Sequence, residues 1–239
     1  MKVIELENID STNAYAKSKI DILEDKTLIS ANKQTSGRGR LSRSWVDLGE
    51  GNLFLSIVLK PYGHTENYPN LTQYLSVCLC KVLETYELKP QIKWPNDVLI
   101  DGKKIAGILA ESVMMGEKTK GIILGIGVNL NAEQKEIDAI PDKIATSLNL
   151  EINRSVDKEK FLKELSDEFF RNYDRFLEGG FPVIKNDYIK RNCFLNNKLS
   201  VQIFDKTIEG FAKSINDNGE LVIVNTENKE VVLTVGDIL

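Results

Sequence analysis

Lys93-Trp94-Pro95-Asn96-Asp97-Val98-Leu99-Ile100-Asp101-Gly102-Lys103-Lys104-Ile105-Ala106-Gly107-Ile108-Leu109 is the stretch that sets the architecture of this chain. Asp101-Gly102 stands between the apolar run Val98-Leu99-Ile100 and the segment Lys104–Glu111. An Asp-Gly pair supplies the two positive-φ residues that a two-residue hairpin turn requires. The stretch therefore predicts two adjacent antiparallel strands. Pro95 restricts Trp94 to extended backbone, so Asn96 and Asp97 stand as polar groups at a strand end. Across the hairpin their side chains and that of Lys104 converge on one pocket.

Outward from this hairpin, Gly121–Leu130 reads as a further strand, whose Gly125 and Gly127 imply close approach by a ligand or another backbone. Asn52–Leu59 is a buried strand stopped by Pro61, and Leu28-Ile29-Ser30-Ala31 a short strand leading into Gln34-Thr35-Ser36-Gly37-Arg38-Gly39-Arg40. Asp10-Ser11-Thr12-Asn13 places four N-capping residue types ahead of Ala14-Tyr15-Ala16-Lys17 and marks a helix start. Leu71, Leu75, Cys78, Leu79, Val82 and Tyr86 recur at helical spacing and predict a long amphipathic helix. A second helix is expected from Asp157 to Glu178, with Phe161, Leu165, Phe169 and Tyr173 on one face and Gly179-Gly180 as its stop. After Tyr188-Ile189-Lys190-Arg191 the texture changes to short strands, Leu199–Phe204, Thr207–Ile215, Glu220–Val224 and Glu230–Val235, with a hairpin turn at Asp217-Asn218-Gly219. The pattern is that of an α+β protein: a mixed, mostly antiparallel sheet with helices on it over residues 1–192, then a small β-barrel over residues 193–239.

An acidic chain has no structural need for Gly37-Arg38-Gly39-Arg40. The glycines permit positive φ and close approach of the main chain to a ligand. The two guanidiniums offer planar forks that fit carboxylate and phosphate. Together they describe a cationic loop that folds over an anionic small molecule. The 239 residues carry a net charge of −4, with 42% hydrophobic and 28% charged residues. That balance argues against a nucleic-acid binder with a wide basic face. No run of about 18 apolar residues exists, so a membrane span is not expected. The N-terminus lacks the apolar core of a signal peptide, which points to the cytoplasm. Cys78, Cys80, Cys193 and the single histidine, His64, do not assemble a zinc site at recognisable spacing. The thiols read as core or surface groups, and His64 as a loop residue without a catalytic role.

Taken in order, Asp10–Asn13, Gln34–Arg40, Lys93–Asp97 with Lys104–Leu109, and Gly125-Ile126-Gly127-Val128-Asn129 resemble the motifs of biotin protein ligases. The resemblance covers residues 5–130, with a weaker match toward the C-terminus. It implies a class II synthetase-like catalytic domain of the biotin/lipoate ligase type, followed by an SH3-like barrel. It also implies the activity of a biotin–[acetyl-CoA-carboxylase] ligase. Biotin and ATP with Mg²⁺ would form biotinyl-5′-AMP, and a lysine of a biotin carboxyl carrier protein or domain would then accept the biotin. A tightly bound metal is not expected. Some relatives carry an N-terminal helix-turn-helix and act as repressors. Here the first motif begins at Asp10, so the expectation is the monofunctional type, without specific DNA binding. A homodimer stays open.

By the same resemblance, Ser11, Thr12, Asn13 and Gln34 meet the biotin head. Arg38, Gly39 and Arg40 close over biotin and adenylate, and Gly107 lets the ligand's tail pass. Lys104 bridges the biotin carboxylate and the α-phosphate, and with Arg40 it is the expected catalytic pair. Arg40, Arg43, Trp45, Lys93, Asn96, Asp97 and Asn129 fall to the nucleotide, with Asp97 as a contact for Mg²⁺. Plainer readings stand beside three of these: an N-cap for Ser11, a core aromatic for Trp45 and a structural turn for Asn129. The family often continues the loop with a further Gly-Arg. This chain has Leu41-Ser42-Arg43-Ser44-Trp45, and Ser42 in place of glycine puts the loop's flexibility in question. The C-terminal strands lie too far along the chain to supply the matched motifs; covering the nucleotide and guiding the acceptor protein are both open to them, and they are expected to matter more for transfer to the acceptor than for ligand recognition. Two rival functions remain: a lipoate or octanoate ligase of the same fold, and a non-enzymatic Arg/Gly nucleic-acid-binding module.

Overall fold

A computed structural model describes residues 2–40, 43–60, 65–140 and 144–239. The expectations for Leu41-Ser42, Pro61 and His64 lie outside the described residues. A seven-stranded sheet is built from β1 (Val3–Ile9), β2 (Thr27–Gln34), β3 (Leu53–Leu59), β4 (Pro90–Lys93), β5 (Asp97–Ile100), β6 (Lys103–Met115) and β7 (Lys118–Val128), in the order β1-β2-β3-β7-β6-β5-β4. β1 and β2 run parallel, and the other neighbours are antiparallel. The Asp101-Gly102 hairpin forms as expected, with φ of 47° and 76° at its two turn residues. Its register sets Asp97 opposite Gly107 and Leu99 opposite Lys104. Trp94-Pro95-Asn96 makes the turn between β4 and β5, and the Trp94–Pro95 bond is cis.

Helices cover both faces of the sheet. They are α1 (Thr12–Ser18), α2 (Leu71–Glu84), α3 (Gln134–Asp138), α4 (Leu148–Ile152), α5 (Lys158–Arg171), α6 (Tyr173–Gly179) and α7 (Lys185–Lys190). β3 is buried along its whole length because both of its faces are covered, which explains its unbroken apolar sequence. Ile29, Val58 and Ile123 pack with Ala16 of α1 and with Ile20 just after it on one side. Leu53, Leu55, Ile57 and Leu59 pack with α2 on the other.

α2 departs from the amphipathic expectation. All of it is buried except Thr72, Lys81 and Glu84, since it lies between the sheet and α5. Cys78 and Cys80 are therefore core thiols, and burial pushes Cys78 up to about 12. The helix expected from Asp157 to Glu178 is two helices, α5 and α6, divided at Asn172 (φ −126°, ψ 16°). The Tyr74 hydroxyl donates to the Phe169 carbonyl at 2.5 Å, the acceptor that an unbroken ladder would offer to Tyr173. A side chain inserted at that point interrupts a helix. Phe161, Leu165, Phe169 and Tyr173 still share one buried face.

The C-terminal residues form a five-stranded antiparallel sheet of β8 (Lys198–Ile203), β9 (Lys206–Ile215), β10 (Leu221–Asn225), β11 (Glu230–Leu233) and β12 (Asp237–Ile238), ordered β11-β10-β9-β8-β12. Val201, Ala212, Ile215, Leu221 and Ile223 continue the main core. The β9–β10 turn docks by its carbonyls: Gln73 Nε2 donates to Gly219 O at 2.7 Å, Trp94 Nε1 to the same oxygen at 3.2 Å, and Asn70 Nδ2 to Asn218 O at 2.8 Å.

One ion pair fastens the chain just before this sheet. Arg191 Nε and Nη2 donate to the two Glu84 carboxylate oxygens at 2.7 and 2.9 Å, and Nη1 to the Asp187 carbonyl at 2.8 Å. The Arg191 carbonyl accepts from Ile92 N of β4 at 2.7 Å. Arg191 is only 8% exposed. Arg191→Ala is expected to lower unfolding stability by roughly 2–3 kcal/mol, below the full cost of breaking a buried pair because Glu84 stays partly in water. Denaturant melts of the two proteins test this, and an unchanged midpoint would contradict it.

Candidate active site

Every residue named above as a site candidate lines one cavity of about 530 Å³. It lies where the N-terminus of α1, the end of β2, the loop after β2 and the strands β5, β6 and β7 meet. Its polar end is built on α1. Thr12 donates to Gln34 Oε1 through its backbone N–H at 2.8 Å and its hydroxyl at 3.1 Å. Ser56 of β3 donates to Asn13 Oδ1 at 2.5 Å, and Asn13 Nδ2 donates to Glu111 Oε2 of β6 at 3.0 Å. Asn13 is therefore fixed at both ends of its amide. A Cβ at Gly125 would lie 2.3 Å from Asn13 Oδ1, so this glycine of β7 exists to admit Asn13. Ser11 accepts from Ala14 N at 3.5 Å as the N-cap, the plainer role considered for it, and it also lines the cavity.

The charged end lies two residues along β7. Gly107 and Gly127 are paired across β6 and β7. A Cβ at Gly127 would come 2.4 Å from the Trp45 ring, and one at Gly107 2.9 Å from that ring and 3.2 Å from Lys104 Nζ. These glycines make room for side chains of the chain itself, and both also line the cavity. The close approach expected at Gly125 and Gly127 is made by the side chains of Asn13 and Trp45, at positions that border the cavity. Trp45 is half-buried beside the cavity, and Lys104 Nζ sits 5.6 Å from its ring centroid. Lys104 Nζ is 2.7 Å from Asp97 Oδ1, so the two side chains converge across the hairpin as expected and also pair with each other.

The loop after β2 folds back on itself. Arg38 and Ser44 form a bridge, Gly39 N donates to Arg43 O at 2.7 Å, and Trp45 N donates to Gly37 O at 2.9 Å. Neither Gly37 nor Gly39 uses the positive φ that glycine permits. A Cβ at Gly37 would lie 2.7 Å from Trp45 O, so it is the loop's own backbone that approaches closely. Arg40 Nη1 donates to Asn96 Oδ1 at 3.2 Å, Gly236 O at 3.2 Å and Asp237 Oδ1 at 3.0 Å. Arg43 Nη1 is 3.0 Å from Asp237 Oδ2. Arg38 stands 3.8 Å from Glu111 Oε1. Lys93 lines the cavity without an ion-pair partner among the described residues.

Asn129 is buried, and its Nδ2 donates to Thr146 O at 2.9 Å. Thr146 N in turn donates to Lys104 O at 3.0 Å and Lys104 N to Ile144 O at 2.9 Å, so Asn129 steadies the segment that frames Lys104. This is the structural role considered for it, on a residue that also borders the cavity. Asp97, offered to Mg²⁺ on sequence grounds, is committed to Lys104. Among the described residues no three His, Cys, Asp or Glu side chains group to hold a metal ion. The residues present do not fit a metal site held by the protein. Sequence reasoning missed Ser56, Glu111, Asp237 and Leu239. Asp237, which opens the last strand, and Leu239 just after it line the cavity, so the C-terminal residues reach its cationic end.

With this geometry, the chain belongs to the biotin/lipoate A/B protein ligase family, whose model matches residues 5–129. The biotin–[acetyl-CoA-carboxylase] ligase of Paracoccus denitrificans is 32% identical over 234 residues, covering 95% of this chain and 96% of that protein. The bifunctional ligase/repressor BirA of Bacillus subtilis is 31% identical over 202 residues, and the match spans 84% of this chain but 62% of the length of that relative. Among solved structures, the biotin protein ligase of Aquifex aeolicus in complex with biotin and ATP superposes with a TM-score of 0.84 at 28% identity, over 100% of this chain and 97% of that one. No helix among the described residues is long and apolar enough to cross a membrane.

Proposed function

We propose that this chain is an ATP-dependent, AMP-forming biotin ligase of the cytoplasm, which activates biotin as biotinyl-5′-AMP and transfers it to a lysine of a biotin carboxyl carrier domain. The observation that carries this reading is the division of one cavity into two ends. Thr12, Asn13 and Gln34 form an uncharged hydrogen-bonding end, and Lys104, Arg40, Arg43 and Lys93 a cationic end. Biotin has the matching form, an uncharged ureido ring with a carboxylate at its tail, and the cations beyond it suit the phosphates of ATP. A lipoyl head lacks ureido acceptors, and would leave the remaining N–H donors of Asn13 and Gln34, those not used within the protein, without a partner. Sites built to hydrogen-bond reject such analogues strongly.

In the first step a biotin carboxylate oxygen bonds to the α-phosphorus, the bond to the bridging oxygen breaks and pyrophosphate leaves. Negative charge shifts among oxygens that Lys104 and Arg40 face, so preorganised cations and positioning supply the catalysis. Lys104 has three N–H donors. One is held by Asp97, which aims the ammonium, and two remain for the carboxylate and the α-phosphate. In the second step an acceptor amine bonds to the acyl carbon, the acyl–oxygen bond breaks, AMP leaves and the amine gives up a proton. ATP enters as its magnesium complex, with the ion held by the phosphates, and no step is assigned to a metal held by the protein. Residues 1–192 are the catalytic unit in this reading, and residues 193–239 an appended β unit.

Incubation of the purified protein with biotin, ATP and Mg²⁺ should leave biotinyl-5′-AMP on the protein, detectable by mass. Pyrophosphate exchange into ATP should depend on biotin. Exchange supported by lipoate and not by biotin would overturn the choice of substrate.

A further inference from the structure

The C-terminal sheet reaches the cationic end through a single carboxylate. Asp237 Oδ1 accepts from Arg40 and Oδ2 faces Arg43, each at 3.0 Å, and the carboxylate is only 14% exposed. β12 itself is held firmly. Asp237 pairs with Gln202 and Ile238 with Val201 of β8, Leu239 N donates to Ser200 O at 3.0 Å, and Ile238 is buried in the core. The carboxylate is thus a fixed point, whereas Arg40 and Arg43 sit on a loop that carries the ligand-facing cations. We propose that Asp237 is a positioning residue for the adenylating step, bracing both guanidiniums so that their remaining N–H groups face the nucleotide phosphates.

The proposal rests on the ligase reading. Arg40 spends Nη1 on Asn96, Gly236 and Asp237, all on the side of the β4–β5 turn and the C-terminal sheet. A guanidinium carries five N–H donors, so its Nε and Nη2 edges stay free for a phosphate. Charge does not turn the brace into a competitor. One carboxylate serves two arginines, and Lys93 adds a cation with no ion-pair partner among the described residues, so the end stays net positive with Asp237 in place. Ordering the arginines before ATP arrives removes part of the entropic cost of binding it. Thr12 and Asn13 make no contact with this group, so biotin binding should not depend on it.

The test uses the full chain and the neutral, near-isosteric Asp237→Asn variant in biotin-dependent ATP–pyrophosphate exchange. The KM for ATP should rise about tenfold or more, as expected when charge-assisted contacts lose their alignment, while the KM for biotin and the calorimetric Kd for biotin stay within about twofold. Asp237→Glu should recover much of the ATP affinity, which a purely structural loss would not explain. An unchanged or lowered KM for ATP, or an equal rise for biotin, would overturn the proposal. If Asp237→Asn does not fold, Asp237→Ser carries the test in its place: it should raise the KM for ATP by a similar factor and leave biotin binding untouched. A parent protein with no biotin-dependent exchange would sink the ligase reading. An active parent with an unaffected variant sinks only the role of Asp237.

Discussion

Replacing Lys104 with methionine is expected to lower biotin-dependent pyrophosphate exchange about a hundredfold or more, a loss of roughly 3 kcal/mol of transition-state stabilisation. Methionine keeps the length of the side chain and its packing against the Trp45 ring, so the change removes charge more than shape. The effect has a second source in the structure. Asp97 Oδ1 lies 2.7 Å from Nζ, and without its partner this carboxylate would face the incoming biotin carboxylate and phosphates as a like charge. Asp97→Asn in the methionine background should therefore recover part of the lost rate, whereas Asp97→Asn alone should cost activity by loosening Lys104. Steady-state exchange on the four proteins of this cycle measures both contributions. A Lys104→Met enzyme within about threefold of the parent would remove Lys104 from the reaction.

Lys104 and Asp97 were legible from sequence because the signal that joins them is local. Asp101-Gly102 sets the turn and the turn sets the adjacent strands that bring both side chains to one pocket, while their ion pair was not read from the sequence. The apolar run of β3 and the capping residues before α1 were legible for the same reason. What escaped was set by distant partners. The break at Asn172 depends on a hydroxyl from Tyr74, which no local pattern in residues 157–178 records. β1 is an edge strand with a mostly exposed pattern, too weakly apolar to stand out. Asp237 is a lone acid at the end of a two-residue strand, and its meaning comes only from arginines on the loop after β2. Glu111 and Ser56 support Asn13 from β6 and β3, and they sit outside every motif that marks the cavity. The glycines were legible as close approaches, but the guests they admit are Asn13 and Trp45.

Gly125→Ala carries the second large expected effect. A methyl group there would lie 2.3 Å from Asn13 Oδ1 and 2.8 Å from its Cγ, far inside ordinary contact distance. Asn13 has little freedom to yield. Its Oδ1 accepts from Ser56 at 2.5 Å and its Nδ2 donates to Glu111 at 3.0 Å, and α1 begins one residue before it. The amide must swing away by about an ångström, which breaks one or both bonds, and displacements of that size in a positioned group cost about a hundredfold. Biotin affinity should fall by about that factor, while the KM for ATP, read at saturating biotin, should stay within about threefold because Arg40, Arg43 and Lys93 are untouched. Gly127→Ala, two residues further along β7, should show a different pattern. Its methyl group would strike Trp45 at 2.4 Å beside Lys104, and the turnover number should fall more than biotin affinity. Calorimetry with biotin beside exchange kinetics separates the two variants. Equal losses of biotin affinity in both would mean that the cavity deforms as a whole, and that its polar and cationic ends are not the separate devices their geometry describes.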